Sequence, residues 1–183
     1  MMSTQIKTDI QDRLAELGDS PQDNGTIEMI VSRPESNERV VLEQAEFSVT
    51  EGLIGDNWRV RGSRHTDDGS AVPGTEITIM NSRTIDAIAQ DREKWALAGD
   101  QLFVDLDLSA ENLPVGQRLA VGSAILEVSE VPHNGCGKFT ERFGSEATHF
   151  VNSKEGRANR RRGINLSVVQ AGTVKVGDTV SKI

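Results

Sequence analysis

The residue in this sequence best suited to chemistry is its only cysteine, Cys136, which lies between two glycines in the stretch "PHNGCGKFTERFG". The thiolate is the reactive and metal-binding form of cysteine, and nearby cations favour it. Gly135 and Gly137 leave the thiol accessible and let a flat or bulky ligand approach the backbone. The stretch therefore predicts a reactive thiol on an accessible loop. The competing interpretation of a lone cysteine is a small buried hydrophobic residue.

Positive charge is concentrated around this cysteine, although the whole chain carries a net charge of −8. The segment from His133 to Arg162 has seven Lys and Arg residues and three acidic residues, a net +4, so the rest of the chain carries −12. Arginine forks suit phosphate and other oxyanions. A thiol in this setting predicts a site for a phosphate-bearing cofactor or substrate. A solvated basic loop or a nucleic-acid patch is the alternative.

Nucleic acid is not an expected partner. No aromatic residues alternate with the arginines of "RANRRRG", so a platform for stacked bases is not expected. The acidic surface also argues against nonspecific binding of nucleic acid by the whole protein.

Two other chemistries use the same residues. His133, Cys136 and His149 could bind zinc, but three scattered ligands lack the paired spacing of a structural site. A cysteine hydrolase would need a histidine base placed beside the thiol in space, which a sequence does not show. Both alternatives stay open at this point.

The elements that must position this site are mostly strands. The 183 residues suit one domain, and 17 glycines separate short apolar or alternating runs. Residues 1–24 are expected to form a loosely docked or mobile helix, Thr8 to Leu17, and a polar linker. Residues 25–183 are expected to form a mainly β domain, a closed or partly open β-barrel with a few short helices.

Two interruptions of the strand pattern stand out. A polar loop at 59–74 is long enough to be functional or mobile. The stretch at 82–99 is predicted to be helical, with Ser82 as its N-cap. The side chains expected on its buried face are Ile85, Ile88 and Trp95.

The sequence also predicts a compartment. One cysteine excludes an internal disulfide, the first residues contain no apolar run typical of a secretory signal, and no stretch approaches the length of a membrane span. A cytoplasmic protein with no membrane partner is expected.

Three stretches resemble the MOSC domain family, the module named after the C-terminal domain of molybdenum cofactor sulfurases. They are "GLIGD" at 52–56, "VPHNGCGKFTERFG" at 131–144 and "RRRGINLSVVQAGTVKVGD" at 160–178. The last two together are the more specific signal. The resemblance implies a β-barrel and is closest to the short standalone bacterial type.

The resemblance also implies a cofactor and a function. Members handle molybdenum cofactor (molybdopterin) or use it to reduce N-hydroxylated compounds, and their cysteine binds molybdenum or carries sulfur. That catalytic and metal-binding role falls here on Cys136. The residues implied to hold the anionic pterin and the oxo groups of the metal are His133, Lys138, Arg142, Arg160, Arg162 and Asn165. The cofactor is expected to be lost on purification.

Some departures from the family pattern leave the activity open. Asn57 and Trp58 stand where basic residues are common, and the pyridoxal-phosphate domain of the eukaryotic sulfurases is absent from this sequence. The chain is thus expected to be a molybdenum-dependent oxidoreductase or a sulfur-transfer protein, with a molybdoenzyme or reductase as partner. The alternatives are a non-catalytic cofactor carrier or insertion protein and a thiol redox sensor without molybdenum.

Overall fold

The computed structural model describes the backbone of residues 2–183 and the side-chain surroundings of residues 10–183. The strands in this range are β1 (Gly25–Ser32), β2 (Val40–Leu42), β3 (Gln44–Ser48), β4 (Gly52–Leu53), β5 (Ile77–Asn81), β6 (Leu102–Asp105), β7 (Arg118–Val121), β8 (Ala124–Val128), β9 (Ile164–Gln170), β10 (Gly172–Lys175) and β11 (Thr179–Lys182). The α-helices are α1 (Met2–Leu17), α2 (Trp58–Arg61), α3 (Ser82–Ala89), α4 (Gly137–Phe143), α5 (Ser145–Asn152) and α6 (Lys154–Ala158), and a 3-10 helix covers Arg92–Ala98. The fold is mainly β, as predicted.

Seven strands close into a barrel. Their order is β11-β7-β8-β9-β5-β6-β1, and β1 pairs with β11 to complete the circle. The closing register places Gly25 opposite Val180 and Thr26 opposite Thr179. Only the β5–β6 pair is parallel among these neighbours. A closed barrel leaves no free edge among its strands, which removes a surface on which other chains could pair.

Two apolar clusters hold the molecule together. The first fills the barrel with aliphatic side chains from every barrel strand, and Ile27, Ile79 and Leu166 in it are fully buried. Phe47 on β3 closes it from the small second sheet, β10-β3-β4. The second cluster lies outside the barrel, between its wall and the helices, and contains Phe103 and Phe139. The helix α4, which follows the cysteine, is therefore anchored to the barrel through an aromatic residue.

The predicted helix at 82–99 is broken in two. Its first part, α3, ends at Ala89, and the next residue, Gln90, has a left-handed backbone with φ 57°. Asp91 then begins the 3-10 helix, where its carboxylate accepts from the Glu93 amide at 3.0 Å. The N-cap of α3 is Asn81 and not Ser82, since the Asn81 side chain accepts from the Thr84 amide at 2.9 Å.

The three side chains expected on the inner face of this segment are buried. Ile85, Ile88 and Trp95 all belong to the second cluster. The prediction of that face is confirmed, although the helix that carries it is interrupted.

The N-terminal helix packs on the body of the protein. It ends at Leu17 as predicted and begins earlier, at Met2, while Met1 and the side chains of residues 2–9 lie outside the described part. Ile10 is buried in the second cluster, and the Arg13 Nε donates to the Ala87 carbonyl at 2.7 Å. Docking of the described half of α1 is therefore firmer than expected. The division into 1–24 and 25–183 remains a prediction.

The long polar loop folds back on itself. It begins with α2 and is closed at its base by the Trp58 indole, which donates to the Thr75 hydroxyl at 2.9 Å. The Ser63 amide donates to the Gly69 carbonyl at 3.1 Å, which closes the tip. No helix among residues 2–183 is long and apolar enough to cross a membrane.

Candidate functional site

Cys136 is exposed, at the junction between a loop and a helix. It immediately precedes α4 and has an extended backbone, φ −113° and ψ −178°. Its carbonyl accepts from both the amide and the hydroxyl of Thr140, at 3.0 and 3.1 Å. A Cβ built on Gly137 would meet no atom within 4 Å. The thiol therefore stands on a fixed backbone beside open space, and the interpretation of a buried structural cysteine does not hold.

Two asparagines hold the loop that carries the thiol. Asn152 brackets Gly135, accepting from its amide at 2.9 Å and donating to its carbonyl at 3.0 Å. Asn165 donates to the carbonyls of Val131 and Pro132, at 3.1 and 3.3 Å. Asn165 was predicted as a cofactor contact, and in the structure its amide group positions the loop. The segment 131–135 is thus tied to the body at both ends.

His133 extends from the same loop to a buried carboxylate. Its Nε2 lies 2.9 Å from Asp100 Oδ1, and Asp100 Oδ2 lies 2.6 Å from Arg162 Nη1. Burial would raise the pKa of Asp100, but Arg162 and His133 lower it to about 2. Burial, followed by repulsion from Arg162, lowers the pKa of His133. At neutral pH the histidine is therefore neutral and the aspartate ionised, so Nε2–H donates to the carboxylate.

This arrangement fixes the tautomer of His133. Since Nε2 carries the proton, Nδ1 keeps a lone pair, and within residues 10–183 it has no hydrogen-bond partner. The ring also packs close to Gly163, where an added Cβ would lie 3.3 Å from His133 Cδ2. An acceptor nitrogen is thus held in a fixed position three residues before Cys136.

Arg162 is a buried structural cation as well as a candidate contact. It is 5% exposed, donates to the Ala98 carbonyl at 2.8 Å and lies over the Phe139 ring at 4.9 Å. Its Nε is buried without a hydrogen-bond partner in the described part of the chain. Three of its five N–H donors are therefore used inside the protein, and the Nε donor is left without a partner there.

Four arginines converge where the 3-10 helix ends. The four successive carbonyls from Ala96 to Gly99 each accept from a different one. The donors are Arg39 to Ala96, Arg142 to Leu97, Arg162 to Ala98 and Arg33 to Gly99, at 3.2, 2.9, 2.8 and 3.1 Å. We call Arg33, Arg39, Arg142 and Arg162 the arginine cluster. The last carbonyls of a helix lack internal partners, and cations stabilise that end.

Two of the four arginines in the cluster are paired with carboxylates. Arg33 forms a two-pronged ion pair with Asp56, at 2.9 and 2.8 Å, and Arg162 is paired with Asp100. Arg39 and Arg142 have no carboxylate within ion-pair distance in the described part of the chain. Burial, followed by the charges of Arg142 and Arg33, lowers the pKa of Arg39. Uncompensated positive charge is therefore present beside α4, the helix that begins after the thiol.

The sequence reasoning missed several of these residues. Asp100, Arg33 and Arg39 were not singled out, because each stands alone in its local sequence and acquires its role only from distant partners. Asp56 was quoted within "GLIGD", and its partner, Arg33, lies 23 residues away. What distinguishes these residues is that their charged side chains are buried. The alternation of apolar and polar residues along the sequence does not show which charged side chains will be buried.

The predicted cofactor contacts divide between two places. Arg142 belongs to the arginine cluster, and Lys138 is exposed on the first turn of α4. His133, Arg160, Arg162 and Asn165 instead line a cavity of about 310 Å³ behind the cysteine loop. Arg162 belongs to both places, and the role of all six residues in cofactor binding remains a prediction.

Arg160 and Arg161 face different ways. Arg160 lines the cavity behind the cysteine loop and also donates to the Leu113 carbonyl at 2.5 Å. Arg161 lines two other cavities, next to α1. Strand alternation does not account for this, because β9 begins only at Ile164 and Arg160 has a positive φ of 47°. A turn ahead of the strand separates the two side chains.

A metal site made by the protein alone is not present in the described residues. No group of three or more His, Cys, Asp or Glu side chains there could hold a metal ion. The zinc alternative built on His133, Cys136 and His149 therefore lacks its geometry. A metal bound at Cys136 would need to bring most of its own ligands.

The fold agrees with comparisons with known proteins. Among solved structures, the YuaD protein from Bacillus subtilis is similar with a TM-score of 0.62 and 15% identity, over 86% of this chain and 94% of that one. YiiM from Escherichia coli is similar with a TM-score of 0.56 and 16% identity, over 86% and 69% of the two chains. YiiM from Geobacillus stearothermophilus gives a TM-score of 0.57 and 13% identity, over 87% and 75%. At these identities the likeness is one of fold.

A search of the curated proteins found no match. A family model described as the MOSC domain matches residues 70–181, which include the cysteine loop, the cavity behind it and most of the barrel. Because that match covers more than half of the sequence, this chain belongs to the MOSC domain family.

Proposed function

We propose that this protein binds molybdenum cofactor, or a related anionic sulfur-bearing species, through Cys136. It would act in cofactor sulfur handling or in molybdenum-dependent reduction of N-hydroxylated compounds. The MOSC family is associated with proteins related to molybdenum cofactor. The observation that carries the proposal is an exposed thiol at the start of α4, whose last turn holds Arg142, an arginine without a carboxylate partner in the described residues. The chain as a whole has a net charge of −8.

The donor set fits such a cofactor. Cys136 offers one soft sulfur ligand, and the described residues offer no second metal-binding group around it. A soft thiolate suits a soft, sulfur-rich metal centre that brings its other ligands with it. The pterin part is anionic, and Arg39 and Arg142 carry the uncompensated charge that would attract it. When bound, the cofactor would supply the molybdenum and its redox or sulfur chemistry.

The protein residues have distinct parts in this proposal. Cys136 acts as ligand or sulfur acceptor, and Lys138 and Arg142 present positive charge from the same helix. Asn152 and Asn165 hold the loop, so the thiol needs little reorganisation when a ligand arrives. Most of the Arg162 guanidinium is occupied by Asp100 and Ala98. Its contribution to cofactor binding is therefore mainly indirect, through the position of the cysteine loop.

Two other functions remain as candidates. A non-catalytic carrier would bind the cofactor and deliver it to a partner molybdoenzyme or reductase in the cytoplasm. Turnover of an N-hydroxylated compound with a reductant distinguishes an enzyme from a carrier. A thiol redox sensor is favoured by the exposure of the only cysteine and needs no molybdenum. Oxidation of the thiol by dilute peroxide in metal-free protein tests that function.

The decisive experiment measures the cofactor itself. Protein purified rapidly without oxygen is analysed for molybdenum and, after oxidation, for pterin fluorescence. Wild type should retain both, Cys136→Ser should lose molybdenum, and Arg142→Ala should retain less pterin. Arg118→Ala removes the same charge from an exposed ion pair on β7 and should behave as wild type. Equal molybdenum in wild type and Cys136→Ser, or none in either when cofactor is supplied, would refute the proposal.

A further inference from the structure

The cavity behind the cysteine loop has features of a binding site and shares only Arg162 with the arginine cluster. Its volume is about 310 Å³, and one of its walls is the loop segment with His133 and Asn134. Asn134 is two residues before Cys136, so the cavity and the thiol share one loop. This volume is large enough for a compact organic molecule.

Arg162, on the wall of this cavity, has a buried donor without a partner in the described residues. The residue is 5% exposed, and the donor is its Nε. Buried polar groups are nearly always satisfied, so this Nε is an exception. Because the Nε atom is itself buried, Arg162 contributes positive charge to the cavity and no direct contact.

The charged side chains around the cavity favour a ligand that carries a single negative charge. Arg157, Arg160 and Arg162 line it, while Asp100 neutralises Arg162 and the exposed Glu130 lies at the rim. The lowered pKa of His133 keeps that ring neutral at neutral pH. The three arginines and two carboxylates leave a net charge of about +1, which matches a monoanion better than a dianion.

The remaining lining is apolar. Val115, Val131, Val151 and Ile164 contribute to the walls. A free inorganic anion would leave these side chains without contacts, whereas an organic acid would cover them and gain from burial.

From these features we infer that the cavity behind the cysteine loop binds a compact organic carboxylate. Its charged end meets Arg157 and Arg160, and its apolar body lies against the valines of the wall. The inference does not rest on the proposed function, since the cavity is formed without cofactor. A ligand here would contact the segment that holds the thiol and so influence access to Cys136.

Benzoate tests this inference by calorimetric titration of the full chain without cofactor. Phenyl phosphate serves as the dianionic comparison and benzamide as the neutral one. Benzoate should bind saturably at one site, phenyl phosphate more weakly, and benzamide not measurably. Tighter binding of phenyl phosphate than of benzoate would overturn the assignment to carboxylates, and absence of saturable benzoate binding at millimolar concentration would overturn the site.

Paired variants locate the binding. Arg160→Ala should weaken the binding of benzoate about tenfold, because a charge-assisted contact at a partly buried position is lost. Arg161→Ala removes the neighbouring charge, which faces other cavities, and should change affinity less than about twofold. Equal losses at both positions would mean general attraction to a basic surface, and the inference would be wrong.

A steric block covers the case in which Arg160→Ala disturbs folding, since Arg160 also holds the Leu113 carbonyl. Val115 lines the cavity and is 59% exposed, so Val115→Trp should obstruct the cavity and leave the core intact. Val60→Trp is its control at a position 91% exposed. Benzoate binding should disappear only in Val115→Trp, and unchanged binding there would overturn the inference. Cys136→Ser should bind benzoate as wild type does, which keeps this result separate from loss of molybdenum.

Discussion

Asp100→Asn should be among the most destabilising single substitutions in this protein. The Asp100 side chain is fully buried and pairs with Arg162 and His133. Asparagine keeps the shape but removes the charge, which leaves the Arg162 guanidinium buried without compensation. Breaking a buried ion pair in this way costs about 3–5 kcal/mol. A typical domain has a free energy of unfolding of about 5–15 kcal/mol, so the loss is a large fraction of the total.

The pKa of Asp100 gives a second measure of the same interactions. Burial raises the pKa of Asp100, and Arg162 and His133 together lower it from 3.8 to about 2. That difference corresponds to about 2 kcal/mol of stability. Because the folded pKa is the lower one, this stabilisation is fully present above about pH 4 and is lost as the pH falls towards about 2.

His133 extends the pH dependence of stability to higher pH. Burial lowers the pKa of His133 in the folded protein, so the unfolded chain binds a proton first as the solution becomes acidic. Its unfolded pKa is about 6.5, and stability should therefore begin to fall below that pH, before Asp100 titrates. In Asp100→Asn the steep loss below about pH 4 should shrink, because the titrating carboxylate is gone.

Urea unfolding near neutral pH and near pH 3 measures both effects. Asp105→Asn is the matched control: Asp105 makes a two-pronged ion pair with Arg83, but both side chains are partly exposed. The free energy of unfolding of Asp105→Asn should be lower than that of wild type by about 1 kcal/mol or less. The double variant Asp100→Asn/Arg162→Met should recover part of the stability, since the uncompensated charge is removed. A loss below about 1 kcal/mol in Asp100→Asn, or equal losses in both single variants, would refute this account of the buried cluster.

Cys136→Ser should leave the free energy of unfolding within about 0.5 kcal/mol of wild type, because the side chain is exposed, and urea titration checks this. Unfolding or aggregation of that variant would contradict the exposed position. Asn152→Ala should speed hydrogen exchange in the cysteine loop while exchange in the barrel strands stays slow, because the loop loses two hydrogen bonds. Uniformly faster exchange would instead mean global destabilisation. Gly163→Ala should be severely destabilising, since its φ is +114° and a Cβ would lie 2.3 Å from a strand carbonyl oxygen, whereas Gly137→Ala meets open space and should be nearly neutral. Similar urea midpoints for the two glycine variants would show that the close approach at Gly163 is not limiting.

The architecture could be predicted from local sequence. Short apolar or alternating runs separated by glycines predict strands and turns, since side chains alternate between the two faces of a strand. The buried residues Ile85, Ile88 and Trp95 were predicted from helical periodicity in the same way. The break at Gln90 was not, because the residue with the left-handed backbone is neither glycine nor proline, the usual local signals of a helix end.

The candidate site could be predicted only in part. The sequence alone picked out Cys136, its two glycines and the basic residues that follow, because these are neighbours along the chain. Tertiary structure decided that the thiol is exposed and that Asn165 holds the loop. It also decided that Arg162 is buried against Asp100, 62 residues away.

The physical reason is the range of each interaction. Turn chemistry, alternation and local charge act over a few residues, so the sequence by itself determined the β-barrel class and the position of the reactive loop. Barrel closure between β1 and β11, the convergence of arginines from four segments on Ala96 to Gly99, and the orientation of the cavity depend on partners far apart in the chain. Burial and the pairing of charges are properties of that assembled structure, and these decide which arginines neutralise a carboxylate and which remain to attract an anion.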